Sequence, residues 1–160
     1  MGIAAQQKFR IRIDKSLDEG DRVRVGLDII SHIQKKAINE NKGFKKATGR
    51  YKRFPYYSPS YAKKKRSSIT NVNLINTGDM FNAMMILKEK KGSLTIGFLP
   101  GEENDKASGN RHGKYFGRPA DPGKARPFLG ITRTDLLTIV RNVRKERKEI
   151  DSKERLRQDI

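Results

Sequence analysis

The stretch GKARPFLGIT, residues 123–132, places a stiff apolar segment in a chain in which 34% of the residues are charged. Pro127 fixes its own backbone and favours an extended conformation for Arg126 before it. Phe128 and Leu129 are apolar side chains large enough to fill part of a core. We therefore predict that residues 123–132, which we call the strap, lock the preceding long loop to the last helix.

The sequence after this strap predicts a final helix. Gly130 permits the turn into it, and Thr132 precedes Asp135 at the spacing of a helix cap. Four apolar residues then form a stripe at helical spacing: Leu136, Leu137, Val140 and Val143. Residues 144–160 lack this stripe. We expect one domain over residues 1–143, followed by a charged extension that is either a solvated helical continuation or disordered until a partner binds.

The N-terminal part predicts a strand and a long helix. Residues 8–14 alternate polar and apolar side chains, which places three of them on one buried face: Phe9, Ile11 and Ile13. Ser16 and Glu19 have the spacing of a capping box, so we expect a helix from about residue 17 to 41. Its expected apolar stripe is Val23, Leu27, Ile30, Ile33 and Ala37.

The middle of the chain predicts a short helix and a hairpin. The helix is expected to be capped by Thr77, with Met80, Phe81 and Met84 directed inward. We also predict two strands, residues 85–90 and 93–98, that are joined by a tight turn. Residues 99–125 are rich in Gly, Pro, Asn and Asp, so we expect a long loop there.

The expected fold class is α+β. A chain of 160 residues in which 34% are hydrophobic can build one modest core. We predict a small antiparallel sheet packed by an N-terminal and a C-terminal helix, with long basic loop arms outside the core.

The net charge of +18 is concentrated in one stretch. Residues 42–66, which we call the basic segment, carry ten basic side chains and no acidic one. The cations considered for binding are Lys45, Lys46, Arg50, Lys52, Arg53, Lys63, Lys64, Lys65 and Arg66. We expect an extended loop over residues 42–67, with a short helix starting after a Ser58 cap. A localised positive field of this kind attracts polyanions.

The aromatic residues of the basic segment leave two interpretations open. They are Phe44, Tyr51, Phe54, Tyr56, Tyr57 and Tyr61. The rings could stack on exposed bases of a nucleic acid. Alternatively, they anchor a loop that docks on a neighbouring protein.

Catalytic and metal-binding patterns are missing from the sequence. The chain has no cysteine, and His32 and His112 lack the spacing of metal ligands. The acidic cluster at residues 102–105 lacks the ligand order of a calcium loop. We therefore expect a non-enzymatic protein without a metal or cofactor. No stretch approaches the roughly 20 apolar residues of a membrane span, so we expect no membrane partner.

Five short blocks, taken in order, resemble the bacteriophage virion morphogenesis family, which contains tail-completion and head–tail joining proteins. The blocks are FPYYSPSYAKKK (54–65), NLINTGDMFNAM (73–84), SLTIGF (93–98), YFG (115–117) and ARPFLGIT (125–132). The family-motif positions that the resemblance marks as structural are Thr77, Gly78, Gly97, Phe116, Gly117, Arg126, Pro127, Phe128, Leu129 and Gly130.

The resemblance implies a structural virion protein at the neck or tail end, acting as a ring subunit and assembled in the host cytoplasm. Its implied partners are further copies of itself, other phage neck and tail proteins, and genomic DNA in the channel. The basic segment would face either that DNA or an acidic neighbouring ring. The alternative from composition is a stand-alone nucleic-acid-binding protein. Arg126 is expected to be either a surface cation or a group that holds the long loop through an ion pair or a carbonyl contact.

Overall fold

The structure is a computed structural model that describes residues 4–74, 78–115 and 118–159. It confirms the α+β class. The elements, in order, are β1 (Lys8–Arg12), α1 (Glu19–Asn39), β2 (Lys42–Lys45), β3 (Arg50–Arg53), α2 (Pro59–Lys65), α3 (Asp79–Asn82), β4 (Met85–Lys90), β5 (Ser93–Gly97), α4 (Glu102–His112), a 3₁₀ turn (Pro122–Lys124) and α5 (Arg133–Gln158).

The core sheet has three antiparallel strands in the order β1-β5-β4. Ile11 lies opposite Leu94, and Ile86 lies opposite Ile96, so the alternating apolar residues share one face. Leu94 and Ile96 of the central strand are fully buried. The predicted N-terminal strand and the predicted hairpin are therefore confirmed.

The first helix packs on this apolar face, but its cap differs from the prediction. The Asp18 side chain accepts a hydrogen bond from the backbone of Asp21 and caps α1. Ser16 instead donates to Asp14 through both its backbone and its side chain, which closes a local turn. The prediction of Ser16 as the cap is wrong, because that turn uses the donor and acceptor groups of Ser16.

The predicted stripe of α1 is also partly wrong. Val23 and Leu27 are exposed, whereas the buried positions are Val25, Gly26, Ile29, Ile30, Ile33 and Ala37. Gly26 explains why the buried face of α1 is rotated away from the predicted stripe. A Cβ added at Gly26 would overlap the side chain of Ile86 on β4. The glycine that weakens the isolated helix therefore lets it approach the sheet closely.

The last helix starts where it was expected and runs further. Thr132 accepts a hydrogen bond from the backbone of Asp135, as predicted, and α5 continues to Gln158. Val140 and Val143 are buried, whereas Leu137 is about half exposed. Of the two alternatives for the C-terminal extension, the structure has the helical one. Arg24 of α1 pairs with Glu146, beyond the apolar stripe.

The predicted loop arms are not confirmed. Within the basic segment, β2 and β3 pair as an antiparallel hairpin, and α2 follows with Ser58 as its cap, as expected. The hairpin was missed because each strand has only four residues and Gly43 has no side chain that would show the alternation.

Helix α4, Glu102–His112, lies within the loop predicted over residues 99–125, so that part of the prediction is wrong. It was missed because polar contacts replace an apolar stripe on its inner side. Asn104 is 1% exposed, and its side chain accepts a hydrogen bond from Gln7 N and donates one to Ala5 O. A helix held in this way has almost no hydrophobic periodicity to detect.

The short helix α3 has its predicted apolar residues inward: Met80, Phe81 and Met84 are buried. Its N-cap residue is Gly78, with a φ of 84° that favours glycine. The predicted cap Thr77 lies outside the described residues, as do the motif residues Phe116 and Gly117.

Candidate macromolecular interface

Arg126 lies inside the fold and joins three segments. Its Nε and Nη2 donate to the carbonyl oxygens of Pro55 (3.2 Å) and Tyr56 (3.4 Å), and its Nη1 donates to the Tyr115 hydroxyl (2.7 Å). The guanidinium also lies 5.1 Å from the Tyr57 ring centroid. Because Arg126 is 6% exposed, the interpretation as a surface cation is wrong, and the carbonyl contact describes its role.

The next apolar residue of the strap fills the core, as predicted. Phe128 is 3% exposed, and its ring centroid lies 5.3 Å from that of Phe81 and 6.2 Å from that of Phe98. Leu129 is half-buried against the same core. Tilted and edge-on ring pairs of this kind add to the stabilisation that burial provides.

Two glycines let the strap and the β2–β3 hairpin come into contact. A Cβ on Gly43 would overlap the carbonyl oxygen of Pro127, and a Cβ on Gly130 would overlap the ring of Phe44. Gly130 also has a φ of 148°. A third motif glycine, Gly97, is needed where the backbone of β1 passes close to β5.

The hairpin presents cations on its outer side. Lys45 lies opposite Arg50, and Lys52 lies opposite Gly43, so these three long side chains share one face of the hairpin. Arg50 and Lys52 are exposed and Lys45 is half-buried. Lys46, at the turn, and Arg53, at the end of β3, are exposed as well.

Helix α2 adds a second group of cations. Lys63 and Lys64 are exposed, and the exposed Arg66 caps the helix with a φ of 55°. Lys65 differs from them, since its Nζ donates to the Tyr57 hydroxyl (2.7 Å) and to Asn73 Oδ1 (3.1 Å). Burial lowers the pKa of Lys65. We therefore assign Lys65 to the framework and not to the group of exposed cations.

The charge of the basic segment is not neutralised by ion pairing within the described part of the chain. Among the described residues, no cation of residues 42–66 lies within salt-bridge distance of a carboxylate. The cations of α5 differ in this respect, because Arg144 pairs with Asp14 and Arg147 lies 3.8 Å from Asp18. The positive field of the basic segment is therefore free to act on another molecule.

The aromatic residues of the basic segment divide between the core and the surface. Phe54 and Tyr57 are buried, and Tyr51 is half-buried, so these rings anchor the segment to the domain. Tyr56 and Tyr61 are 54% and 48% exposed. The buried rings therefore have the anchoring role, whereas the rings of Tyr56 and Tyr61 are accessible to a base or to a protein surface.

Sequence reasoning missed a polar junction that fixes the hairpin to both long helices. Tyr51 of β3 donates a 2.7 Å hydrogen bond to Asp135 of α5, and His32 Nε2 of α1 lies 3.0 Å from the same carboxylate oxygen. Burial first, and the bond to Asp135 second, raise the pKa of Tyr51 to about 12. Burial alone would raise the pKa of Asp135, but the contacts with Tyr51 and His32 lower it below its ordinary value.

The chemistry of this junction is structural. Its three side chains bond to one another, and the only sequence signal near it was the spacing of Thr132 and Asp135, which predicted a cap and no tertiary contact. The described residues contain no group of three or more His, Asp or Glu side chains that could hold a metal ion. Glu102 and Glu103 pair with Lys106 of the same helix.

Comparison of the chain with protein-family models, with curated proteins and with solved structures finds no match. None of the helices in the described ranges combines the length and the apolar composition that crossing a bilayer requires.

Proposed function

We propose that the chain is a structural subunit of a bacteriophage virion. It would form a ring at the neck or tail end, together with further copies of itself, and act there in tail completion and head–tail joining. One observation carries this proposal: described residues from all five motif blocks meet around the strap. Pro55 and Tyr56, Phe81, Phe98 and Tyr115 each contact Arg126 or Phe128.

This arrangement supports an assembly role because the motif residues build a framework. Arg126 is satisfied by carbonyl and hydroxyl groups, and Phe128 is packed between rings, so neither side chain is available to a small substrate. In a ring, one interface is repeated around an axis, and polar surface elements supply the contacts between neighbours.

The unneutralised basic segment suggests which neighbours such a ring would need. Copies with a net charge of +18 repel one another unless polyanions compensate the charge. The exposed cations of the β2–β3 hairpin and of α2 would contact genomic DNA or an acidic ring above or below.

Deletion of the gene from the phage that encodes the chain tests this proposal. Electron microscopy of the lysates is expected to show filled heads without tails, or free tails, and wild-type protein supplied in trans is expected to restore joined particles. Normal infectious particles from the deletion strain would reject the proposal.

A matched pair of variants links the function to the basic segment. The triple variant Lys52→Gln, Lys63→Gln and Lys64→Gln is expected to fold normally but fail to restore joining. The control Lys153→Gln, Arg155→Gln and Arg157→Gln removes the same charge from the exposed end of α5 and is expected to restore it.

A second candidate function is stand-alone nucleic-acid binding, which the exposed Tyr56 and Tyr61 beside unpaired cations favour. It predicts tight, salt-dependent binding of single strands by the monomer, with stacking on these two rings. Tyr56→Ala and Tyr61→Ala would weaken that binding by about 1–3 kcal/mol per stacked base. Equal binding by wild type and both variants would reject this candidate.

A further inference from the structure

The three-stranded sheet has a second, charged face. Ile11 is buried in the core and Phe9 packs partly against it, so the residues that alternate with them in β1 lie on the other face of the sheet. We call the side of the sheet turned away from α1 the outer face. It carries five exposed cations: Lys8, Arg10, Arg12, Lys88 and Lys90.

A β-bulge in β4 is responsible for this arrangement. Ile86 lies opposite Ile96 and Lys88 lies opposite Thr95, so Leu87 is an extra residue without a partner. Without it, strict alternation would turn Lys88 inward and Glu89 outward. With it, Glu89 points to α1, where it pairs with Arg22, and the two lysines of β4 join the outer face.

The outer face concentrates positive charge. Neighbouring residues on it are Ser93, Thr95, Gly97 and Met85, so no carboxylate alternates with the cations. Among the described residues, none of the five cations forms a salt bridge. Contact with the Lys90 side chain lowers the pKa of Lys88, and the charges of Lys90 and Arg10 lower it further.

The same face forms a shallow concavity of about 660 Å³. Its lining includes Lys8, Arg10, Lys88 and Lys90, with Gln6 and Thr95 between them. Lysine, arginine, threonine and glutamine are side chains that bind phosphate oxygens in protein–DNA complexes.

We propose that the outer face binds the phosphate backbone of double-stranded DNA. Alternate residues of a strand are about 6.8 Å apart and neighbouring strands about 4.8 Å apart, so the cations form a two-dimensional array and not a single row. Such an array can contact several phosphates along a duplex. The polar residues between the cations offer hydrogen bonds to phosphates, and because phosphate contacts carry no sequence information directly, binding is expected to be independent of sequence.

Two other occupants fit the charge less well. A second copy of the chain carries the same net charge of +18 and would be repelled from this face unless a polyanion lay between the two copies. An acidic protein segment is complementary in charge, and exposed Met85 and Leu99 would suit its apolar side chains. A flexible acidic segment would follow one edge strand, whereas the cations lie on both edge strands, β1 and β4.

The test measures DNA binding by the purified full chain. Fluorescence anisotropy with a short labelled duplex of arbitrary sequence gives the dissociation constant at a series of NaCl concentrations. The variant Arg10→Gln, Lys88→Gln and Lys90→Gln is expected to lower the slope of log K against log [NaCl] by about 2–3, because each lost phosphate contact removes about 0.9. Circular dichroism checks that the variant is folded.

The control Lys153→Gln, Arg155→Gln and Arg157→Gln loses the same charge on α5 and is expected to keep the wild-type slope. Equal loss in both triple variants would show a general charge effect and overturn the proposal, as would an unchanged slope in the outer-face variant. Loss of poly-glutamate binding with unchanged DNA binding would overturn it in favour of an acidic protein partner. These outcomes are independent of particle joining, so this proposal and the virion proposal can fail separately.

Discussion

The guanidinium of Arg126 donates a 2.7 Å hydrogen bond to the hydroxyl of Tyr115 and lies 5.3 Å from the centroid of the same ring. The Tyr115 hydroxyl in turn donates to the carbonyl of Lys124. The segment that follows α4 is therefore held against the strap by one buried cation, Arg126. Two tyrosine rings flank that cation, which compensates in part for its removal from water.

Replacement of Arg126 by lysine is expected to destabilise the domain by about 2–4 kcal/mol, because a lysine can reproduce only part of the three-way hydrogen bonding of the guanidinium. Urea unfolding measures the change. Lys124→Gln, an exposed substitution two residues away, is expected to change stability by less than about 0.5 kcal/mol. An equal effect of the two substitutions would contradict the assigned role of Arg126.

Alanine at Gly43 or Gly130 is expected to cost about 1–3 kcal/mol or more, because the added Cβ would overlap Pro127 or Phe44. The matched control is Gly20→Ala in the first turn of α1, where the nearest atom to an added Cβ is 3.6 Å away. The control is expected to be neutral or to gain up to about 1 kcal/mol. Thermal unfolding of the three variants measures these changes in stability. A Gly20→Ala variant less stable than the Gly43→Ala and Gly130→Ala variants would contradict the prediction.

Asp135→Asn is expected to destabilise the protein at neutral pH by about 1–2 kcal/mol, since a charged acceptor of the Tyr51 hydrogen bond is lost. The folded pKa of Asp135 is lowered. Its carboxylate therefore stabilises the fold above the unfolded pKa of about 3.9, and this contribution is lost as the pH falls through the folded value.

The stability gap between wild type and Asp135→Asn should thus narrow in acid, as followed by urea unfolding at several pH values. Asp105→Asn is the control, since Asp105 is exposed and also lies in the first turn of a helix. A gap that stays constant from neutral pH into acid would contradict the assigned role of the carboxylate.

Two adjacent lysines of α2 are expected to behave in opposite ways. Lys65→Gln removes the hydrogen bonds to Tyr57 and Asn73 and is expected to cost about 1–3 kcal/mol of stability. Lys64→Gln, which is exposed, is expected to leave stability within about 0.5 kcal/mol. Chemical denaturation distinguishes them, and equal stability of the two variants would place Lys65 on the surface with its neighbours.

The sequence predicted the elements whose signals are local. Alternation in β1 and β5, the hydroxyl caps Ser58 and Thr132, and the apolar residues of α3 depend on neighbours within a few positions, and the structure confirms them. The hairpin of the basic segment was missed because Gly43 and the surrounding cations mask its period. Helix α4 was missed because Asn104 takes the place of an apolar anchor.

The contacts that define the candidate surfaces are long-range. Arg126 bonds to residues about 70 positions away, and Asp135 contacts His32 across more than 100 positions, so no spacing rule could pair them. The outer face depends on the unpaired Leu87, which reverses the direction of every later side chain in β4. Its charge could be counted in the sequence, but the face that carries it could not be predicted.

The proposed virion role is tested most directly by quantitative mass spectrometry of purified, infectious phage particles produced from a genome that carries this gene. If the chain is a structural subunit of the neck or tail end, it is expected at a fixed low copy number per particle, in constant ratio to the other tail components. Its complete absence from finished particles would contradict the account.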